Sequence, residues 1–318
     1  MKKPVIVLTG PTAVGKTEAS IELAKVVNGE IISADSMQVY RHMDIGTAKV
    51  RPEQRQGVPH YLVDELEPDE EFNVMIFQKR VKAVMKEIYA RNKIPILVGG
   101  TGFYIQAVLY DIAFAENQGD DHFRLTMQQL AERQGEQVLH ERLRAVDPES
   151  ADAIHPNNRK RVIRALEYHH FTGEKFSVHN ATERKRQSPY VFLYVVLTMN
   201  REKLYERIDQ RVDQMIREGL VKEVETLLQK GYSRDLVSMQ GLGYKELAAA
   251  LAGEYSVEEA IYRIKRDTRH FAKRQMTWFR RERDVTMLEK EQFADTEELV
   301  AEIVSRAAAC GVCKGRKL

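Results

Sequence analysis

Residues 5–17, V-I-V-L-T-G-P-T-A-V-G-K-T, join a short apolar run to a complete G-x-x-x-x-G-K-[ST] phosphate loop. In such a loop the backbone N–H groups turn inward around an anion, the lysine adds a positive charge, and the final hydroxyl can bind Mg²⁺. A helical pattern follows over 18–27, so the loop is expected at a helix N-terminus, where anions are favoured. The stretch predicts a polyphosphate site, with Thr17 as the metal ligand, but it does not specify the reaction. The eight predicted phosphate-binding residues are Gly10, Pro11, Thr12, Ala13, Val14, Gly15, Lys16 and Thr17.

The composition is that of a globular protein. Of 318 residues, 43% are hydrophobic and 30% are charged, which excludes a disordered chain. No apolar run approaches the roughly 18 residues of a transmembrane helix. We therefore expect a cytoplasmic protein without membrane contact, and nothing in the sequence demands more than a monomer. Cys310 and Cys313 form a single C-x-x-C pair, which favours a reduced, exposed tail over a zinc site.

Short apolar runs predict a parallel sheet. The runs over 4–9, 30–34, 94–98 and 191–197 read as buried strands, because parallel strands are covered on both faces. The run 285–288 is a candidate last strand. Helical patterns separate these runs, and strand–helix alternation after a phosphate loop predicts an α/β fold. We expect a P-loop NTPase-like parallel sheet flanked by helices.

The strand–helix alternation stops between residues 113 and 189. This segment is polar, helical in pattern and without strand-like runs, so we predict that 113–189 is a mostly helical insertion domain. Residues 1–112 and 190–318 are then the catalytic core, with a mostly helical C-terminal part. A capping-box spacing at Ser256 predicts that a long helix begins there and continues to about residue 282.

The phosphate loop lacks the usual partner of a nucleotide-hydrolysing enzyme. Such enzymes end a second buried strand with an aspartate that helps to hold Mg²⁺. Here the run 94–98 ends instead in Gly99-Gly100-Thr101, and Asp35 is the carboxylate that follows a comparable strand. Because ligands bind at the carboxyl edge of a parallel sheet, Asp35 and Thr101 are expected near the phosphate site. Asp35 could anchor Mg²⁺ through water or accept a proton, or it could merely cap the next helix.

Positive charge is concentrated near the C-terminal end of the sequence. Residues 263–283 hold nine Lys and Arg against Asp267 and Glu282, an excess of seven, with Phe271, Trp278 and Phe279 among them. Charge-rich helices are usually solvated faces, but cations interleaved with aromatic side chains are typical of RNA-binding surfaces. We expect this segment to contact RNA.

Four further motifs accompany the phosphate loop. They are D-S-M-Q-V-Y at 35–40, G-G-T-G-F-Y at 99–104, H-P-N-N-R-K-R at 155–161 and G-L-G-Y-K-E at 241–246. In this combination and order the chain resembles the bacterial tRNA dimethylallyltransferases, also called tRNA isopentenyltransferases. One departure is His42, where the pattern of that family has glycine.

The resemblance implies a reaction. A dimethylallyl group would pass from dimethylallyl diphosphate to N6 of the adenosine 3′-adjacent to the anticodon of tRNA, with Mg²⁺ present and diphosphate released. Asp35 is then the candidate general base, because the N6 amine must lose a proton as it attacks. Thr101 would orient the amine. Arg217 resembles the arginine that reaches the diphosphate in this family, its alternative being a solvated helix charge.

The resemblance also implies an RNA partner, the anticodon stem-loop of tRNA. Its target base must leave the stacked loop to react, and a glutamine amide offers the paired donor and acceptor that suit an adenine edge. Arg124 lies early in the insertion, where the family has a tRNA-contacting arginine. The expected tRNA-binding residues are Asp35, Ser36, Met37, Gln38, Thr101, Arg124, Arg159, Lys160, Arg161, Val162 and Ile163.

Other readings remain open from the sequence. A small-molecule or nucleotide kinase would share the loop and the aspartate after the second strand, and an isopentenyltransferase acting on free AMP or ADP would share the chemistry. A non-catalytic RNA-binding protein would keep the basic surface alone. Tyr40, Phe103 and Tyr104 would line an isoprenoid channel or belong to the core.

Overall fold

Six parallel strands form one sheet in the computed structural model, which describes residues 2–114 and 121–313. The strands are β1 (Lys3–Thr9), β2 (Gly29–Ser33), β3 (His60–Tyr61), β4 (Ile94–Gly99), β5 (Tyr190–Thr198) and β6 (Val285–Glu289). Their order across the sheet is β3-β2-β4-β1-β5-β6. Strand β1 is therefore central, and its Ile6 is in register with Ile96 of β4 and Leu193 of β5.

The predicted α/β class is confirmed. The five apolar runs of the sequence correspond to β1, β2, β4, β5 and β6, and Val5, Ile6, Val7 and Leu8 are completely buried. Strand β3 was not predicted, because it has two half-buried residues, His60 and Tyr61, and no apolar run. It is held at the edge of the sheet by pairing with Ile31 and Ile32 of β2.

Thirteen α-helices make up most of the other regular structure in the described chain. Helix α2 buries one apolar face, which consists of Phe77, Val81, Met85 and Ile88. Helix α12 begins where expected, since the Ser256 hydroxyl accepts a hydrogen bond from the Glu259 N–H at 3.2 Å. The helices are α1 (Lys16–Val27), α2 (Val74–Ala90), α3 (Gly102–Leu109), α4 (Asp121–Gln134), α5 (Glu136–Val146), α6 (Pro148–Ala153), α7 (Arg159–Thr172), α8 (Phe176–Lys185), α9 (Arg201–Arg217), α10 (Leu220–Gln229), α11 (Tyr244–Leu251), α12 (Val257–Phe279) and α13 (Thr296–Ala309).

The chain divides into two compact units. One comprises Met1–Leu109 together with Pro189–Leu318 and contains the sheet; the other is Tyr110–Ser188 and contains helices α4 to α8. The second unit has its own apolar core, which includes Leu139, Leu143 and Val162. Residues 115–120 of the expected insertion and 314–318 of the expected tail lie outside the described residues. Over the two described ranges, no helix combines the length and the apolar character needed to span a membrane.

Candidate active site

The carboxyl edge of the sheet brings three predicted segments together. The phosphate loop follows β1, Asp35 follows β2, and Gly99-Gly100-Thr101 ends β4, which lies between β1 and β2. A cavity of about 340 Å³ opens here, and its lining includes Lys16, Thr17, Asp35, Gln38 and Gly100. The sheet order alone therefore explains why motifs 90 residues apart meet, as in the 2.6 Å bond from the Thr9 hydroxyl to the Gly99 carbonyl.

The phosphate loop has a conformation that depends on two of its glycines. Gly10 and Gly15 have φ angles of 146° and 98°, in the region where a side chain is strained, and Gly15 caps the N-terminus of α1. The Lys16 ammonium donates to the carbonyls of Gly10 at 3.0 Å and Pro11 at 2.8 Å. The loop is thus curled around its own lysine, with Thr17 exposed at the cavity.

Lys16 is in an unusual electrostatic environment. Burial, with a smaller effect of the neighbouring Arg211, lowers its pKa to about 7, while the Asp35 carboxylate acts in the opposite direction. Burial also lowers the pKa of Arg211, again opposed by Asp35. The cations therefore outnumber the carboxylates here, since Asp35 is the one carboxylate among the described lining residues.

The arginines that line the cavity are not the one expected from the sequence. Arg217 ends helix α9 exposed, donates to the Gln214 side chain at 2.8 Å, and is absent from the described cavity lining. Arg207 and Arg211, on the same helix, do line the cavity. Arg207 donates from Nε to the Ala13 carbonyl of the phosphate loop at 3.0 Å. Arg217 was chosen from the family resemblance, although the four-residue spacing of Arg207 and Arg211 puts both of these on one helix face.

Asp35 caps a turn, not the helix expected from the sequence, and leaves one oxygen available. Its Oδ1 accepts from the N–H groups of Met37 at 2.8 Å and Gln38 at 3.4 Å, which fixes the turn after β2. Its Oδ2 has no hydrogen-bond partner within the described chain, and Asp35 is half-buried in the cavity wall. The two roles left open by the sequence are therefore compatible in one side chain.

Thr101 is positioned by the strand that carries Asp35. Its N–H donates to the carbonyl of Ala34 at 3.2 Å, and Ala34 directly precedes Asp35. Thr101 also starts α3, because its carbonyl accepts from the N–H of Tyr104 at 3.0 Å. The Thr101 hydroxyl makes no hydrogen bond to the described residues, and the residue is half-buried. The backbone thus joins Thr101 to the residue that precedes Asp35, but Thr101 itself is not among the described residues that line the cavity.

The Gln38 amide is oriented from both ends. The Ser33 hydroxyl donates to Gln38 Oε1 at 2.8 Å, and Gln38 Nε2 donates to the Thr47 carbonyl at 3.2 Å. These contacts define which end of the amide is the oxygen. Each end retains one further hydrogen-bonding position, and Gln38 lines the cavity. Its neighbours Ser36 and Met37 are half-buried.

The loop that supplies the Thr47 carbonyl is held in place by a half-buried glutamate, Glu223. The Glu223 carboxylate accepts from the N–H groups of Asp44, Ile45 and Gly46 at 2.9, 2.8 and 3.1 Å. It also accepts from the Tyr244 hydroxyl at 2.6 Å. The G-L-G-Y-K-E motif is thereby explained, since Tyr244 is its tyrosine and supports this loop.

His42 lies just before this loop in a backbone conformation that favours glycine. Its φ is 65°, in the left-handed region, where glycine has no steric cost and other residues are uncommon. The glycine of the family pattern at this position therefore has a conformational reason.

The aromatic residues near the site belong mainly to the core. Tyr40 is 1% exposed and packs edge-on against Phe72, whose ring also contacts Tyr104 at 5.9 Å between centroids. Burial, with smaller effects of Tyr40 and Asp35, raises the pKa of Tyr104 to about 12. Phe103 is 40% exposed and contacts Trp278. Tyr40 and Tyr104 thus form part of an aromatic cluster behind the site.

Gln275 of α12 links the phosphate loop to the glycine-rich turn. Its Oε1 accepts from the Thr12 N–H, and its Nε2 donates to the Gly100 carbonyl, both at 2.9 Å. The side chain is 7% exposed. Sequence reasoning missed this residue, because a glutamine within a cationic helix has no distinguishing pattern.

Only some of the cations over 263–283 are available to bind an external anion, because others are paired with carboxylates of the protein. Four of its cations are paired with carboxylates: Arg263 with Glu259, Lys265 with Asp213, Arg266 with Asp267, and Arg269 with Asp209. The exposed cations without an ion pair among the described residues are Lys273, Arg274, Arg280 and Arg281. The cations that remain available to RNA phosphates in this segment therefore lie in its C-terminal part, over 273–281.

The predicted RNA-binding residues of the second unit fall into two groups, one buried or ion-paired and the other at the start of α7. Arg124 donates from Nε to the fully buried Glu167 at 2.5 Å, and the side chains of Val162 and Ile163 are in the core. Lys160 and Arg161 are exposed at the start of α7, and Arg159 is half-buried, with Glu132 at 3.9 Å. Cations are unfavourable at a helix N-terminus, so an anion would stabilise this arrangement.

Comparisons of the sequence with known proteins all lead to one family of transferases. The sequence model of the IPP transferase family matches residues 38–282. A tRNA dimethylallyltransferase of Lachnoclostridium phytofermentans is 60% identical over 302 residues, covering 95% of this chain and 96% of that protein. A tRNA dimethylallyltransferase of Bacillus pumilus is 52% identical, covering 93% and 94%.

The similar solved structures are of transferases of the same kind. A full-length tRNA isopentenylpyrophosphate transferase of Bacillus halodurans superposes with a TM-score of 0.74 at 44% identity, covering 97% of each chain. A eukaryotic dimethylallyltransferase, captured acting on tRNA, superposes with a TM-score of 0.80 at 29% identity, covering 99% of this chain and 82% of that one.

Proposed function

This chain belongs to the IPP transferase family, and from that premise we propose that it dimethylallylates N6 of the adenosine 3′-adjacent to the anticodon in tRNA. It is an enzyme that transfers a prenyl group to tRNA, as the names of its relatives describe. The observation that carries the mechanism is the free Oδ2 of Asp35, the one carboxylate in a cavity lined by cations. The donor is dimethylallyl diphosphate, and the products are modified tRNA and diphosphate.

The diphosphate is bound by the phosphate loop, Lys16, Arg207 and Arg211. Two of these groups are held by hydrogen bonds before the substrate arrives, Lys16 by two carbonyls and Arg207 by a third. As the carbon–oxygen bond breaks, its electron pair remains on the departing diphosphate. Fixed positive charge in a cavity stabilises the charge that develops there, which lowers the barrier.

The nucleophile is the N6 amine, and Asp35 Oδ2 accepts its proton. The nitrogen–carbon bond forms as the carbon–oxygen bond breaks, and the proton on N6 passes to the carboxylate, so charge balances without a covalent enzyme intermediate. The Thr101 hydroxyl, adjacent through the Ala34 carbonyl, accepts from or donates to the same amine and orients it. The Oδ1 bonds to Met37 and Gln38 prevent the carboxylate from rotating.

Adenine is recognised by the Gln38 amide once the base has left the anticodon loop. The free positions on Oε1 and Nε2 offer an acceptor and a donor to one edge of the base. Ser33 and the Thr47 carbonyl determine that orientation, so another base would meet a mismatched pattern. Ser36 and Met37 lie in the same turn and complete the nucleotide contact.

Magnesium fits the donor groups at this site. Thr17 is exposed at the cavity with its hydroxyl free of hydrogen bonds to the described protein, and Mg²⁺ prefers such hard oxygen donors. In the described part of the chain no cluster of three metal-binding side chains occurs, so substrate oxygens would complete the coordination. When bound, the ion supplies further charge neutralisation to the diphosphate.

The tRNA is held by surfaces on both units. Arg159, Lys160 and Arg161 would contact phosphates from the second unit, and the unpaired cations of α12 would do so from the first. Arg124 and Arg164 hold the buried Glu167 and act on the RNA indirectly, by stabilising the helix that presents those cations. Cytoplasmic location and a monomeric state complete the proposal.

The alternatives raised by the sequence have less support. A phosphate-loop kinase and an isopentenyltransferase for free AMP or ADP would leave the cations of the second unit without a role. Neither is named among the relatives described above, which are tRNA-modifying transferases.

The test is a product assay. The protein is incubated with Mg²⁺, dimethylallyl diphosphate and unmodified total tRNA, and the nucleosides are analysed by mass spectrometry. We expect a dimethylallyl group on tRNA adenosine, and a fall of about 10²–10⁴-fold in kcat for Asp35→Asn, with tRNA affinity unchanged within about twofold. Exposed Asp69 provides the matched control, Asp69→Asn, which keeps full activity. Transfer to free AMP, or phosphate transfer from ATP, in place of the tRNA product would refute the proposal.

A further inference from the structure

We propose that Lys290 binds the diphosphate of the donor substrate, a role that rests on the proposed function and extends it. Lys290 directly follows β6, the strand at the edge of the sheet. All six strands are parallel, so the residue after β6 lies on the same carboxyl edge as the phosphate loop after β1 and Asp35 after β2.

The Lys290 ammonium lies against the phosphate loop. A Cβ atom built on Gly15 would be 2.6 Å from Lys290 Nζ, and the next side-chain group, Arg207 Nη2, would be 3.8 Å away. Gly15 is the residue that caps α1, and its conformation, with φ at 98°, leaves the space that the ammonium occupies. Lys290 and Arg207 therefore approach the phosphate loop at the same residue.

This positive charge is not compensated within the described protein. Lys290 has no ion pair and donates no hydrogen bond there, and it is half-buried. The acidic residues beside it are engaged elsewhere: Glu291 accepts from the Asn200 N–H at 3.0 Å, and Glu289 accepts from Gln292 at 3.3 Å. The ammonium is thus beside a loop that is itself positive, because its N–H groups begin a helix.

An anion resolves this unfavourable arrangement. Two cations next to a helix N-terminus repel each other and the helix dipole, and a bound diphosphate would neutralise all three. Lys16 and Arg211 line the cavity, whereas Lys290 is outside its described lining and approaches the loop at Gly15, which does line it. Lys290 therefore adds a contact to the oxygens of the anion in both substrate and product, and contributes to binding more than to the chemical step.

The effect is measurable without turnover. Isothermal titration of the full-length protein with inorganic diphosphate and Mg²⁺ should give a Kd five- to twentyfold higher for Lys290→Met, which keeps the aliphatic stem but removes the charge. The KM for dimethylallyl diphosphate should rise by a similar factor while kcat stays within twofold, since the contact exists in ground and transition states alike. Lys290→Arg should remain within threefold of the wild type.

Controls separate the possible results. Lys230, exposed at the end of α10 and outside the described cavity lining, gives Lys230→Met as the variant with the same charge loss and no expected effect. Unchanged diphosphate affinity in Lys290→Met would overturn the inference and leave the proposed function intact. A wild-type protein that binds no diphosphate would overturn the proposed function itself. If methionine prevents folding, Lys290→Gln carries the same expectation.

Discussion

The Gln275 side chain accepts a hydrogen bond from the Thr12 N–H at 2.9 Å, although 263 residues separate the two in sequence. The other end of the same amide donates to the Gly100 carbonyl. One buried residue of the last long helix therefore sets the distance between the phosphate loop and the turn that precedes Thr101. In the proposed function these two segments bind the leaving group and the nucleophile, so the separation of the two substrates would depend on this amide.

Gln275→Ala should lower kcat by about ten- to a hundredfold, because a displacement of about 1 Å between reacting groups has costs of that order. Gln275→Glu keeps the acceptor for Thr12 but places a carboxylate oxygen against the Gly100 carbonyl, so it should be no better than alanine. Thr277→Ala, two residues along on the exposed side of α12, is the control. Single-turnover rates and tRNA affinity would be compared, and a loss confined to tRNA affinity would contradict the expectation.

Arg211→Ala should raise the KM for dimethylallyl diphosphate and lower kcat by about a hundredfold, since it removes fixed charge from the leaving group. Arg217→Ala should change both constants by less than about threefold, because Arg217 is exposed and contacts Gln214. Both variants remove one positive charge from helix α9, so they differ in the position of the lost charge and not in its size. Steady-state kinetics measure both constants, and an equal loss of activity in the two variants would indicate that Arg217 also binds the diphosphate.

Lys16 should take up a proton when diphosphate binds above pH 7. Its pKa is about 7 in the free protein, so a growing fraction is neutral as the pH rises, and an anion favours the charged form. Affinity should therefore fall above pH 7, by up to about tenfold per pH unit. Calorimetry at pH 8 in two buffers of different ionisation enthalpy measures the uptake. Lys16→Arg, which stays charged, should lack it, and equal uptake in both proteins would assign the proton to another group.

Replacing Arg159, Lys160 and Arg161 with alanine should weaken tRNA binding and flatten its dependence on salt. Each lost phosphate contact reduces the slope of log affinity against log salt by somewhat less than one. Arg124→Ala should leave that slope unchanged but destabilise the protein, because it leaves the buried Glu167 with Arg164 as its remaining arginine partner. Filter binding at several salt concentrations and thermal unfolding distinguish these effects. A reduced slope for Arg124→Ala would place its guanidinium on the RNA.

The sequence predicted those parts of the site that local patterns encode. The phosphate loop, Asp35 and Gln38 each belong to a continuous motif next to an apolar strand, and topology then brings such motifs to one edge of the sheet. Gln275 and Lys290 could not be found in this way. Each acts through one contact with a segment distant in sequence, and neither residue type is unusual where it occurs.

The choice between the arginines of α9 shows the same limit. The arginines at 207, 211 and 217 are the same residue type on one helix, and each could bind a diphosphate. Which of them faces the phosphate loop depends on how the helix is oriented against that loop. Strand β3 was missed for a related reason, because two residues carry no periodicity and their pairing with β2 is a tertiary event.

Glu223 gives this fold a second anion concavity that the protein fills itself. The three N–H groups of Asp44, Ile45 and Gly46 converge on one carboxylate, as the N–H groups of a phosphate loop converge on a phosphate. An empty concavity of this kind would compete for diphosphate or for the RNA backbone a short distance from the proper site. Because an internal carboxylate already occupies these three N–H groups, they are not available to a substrate anion.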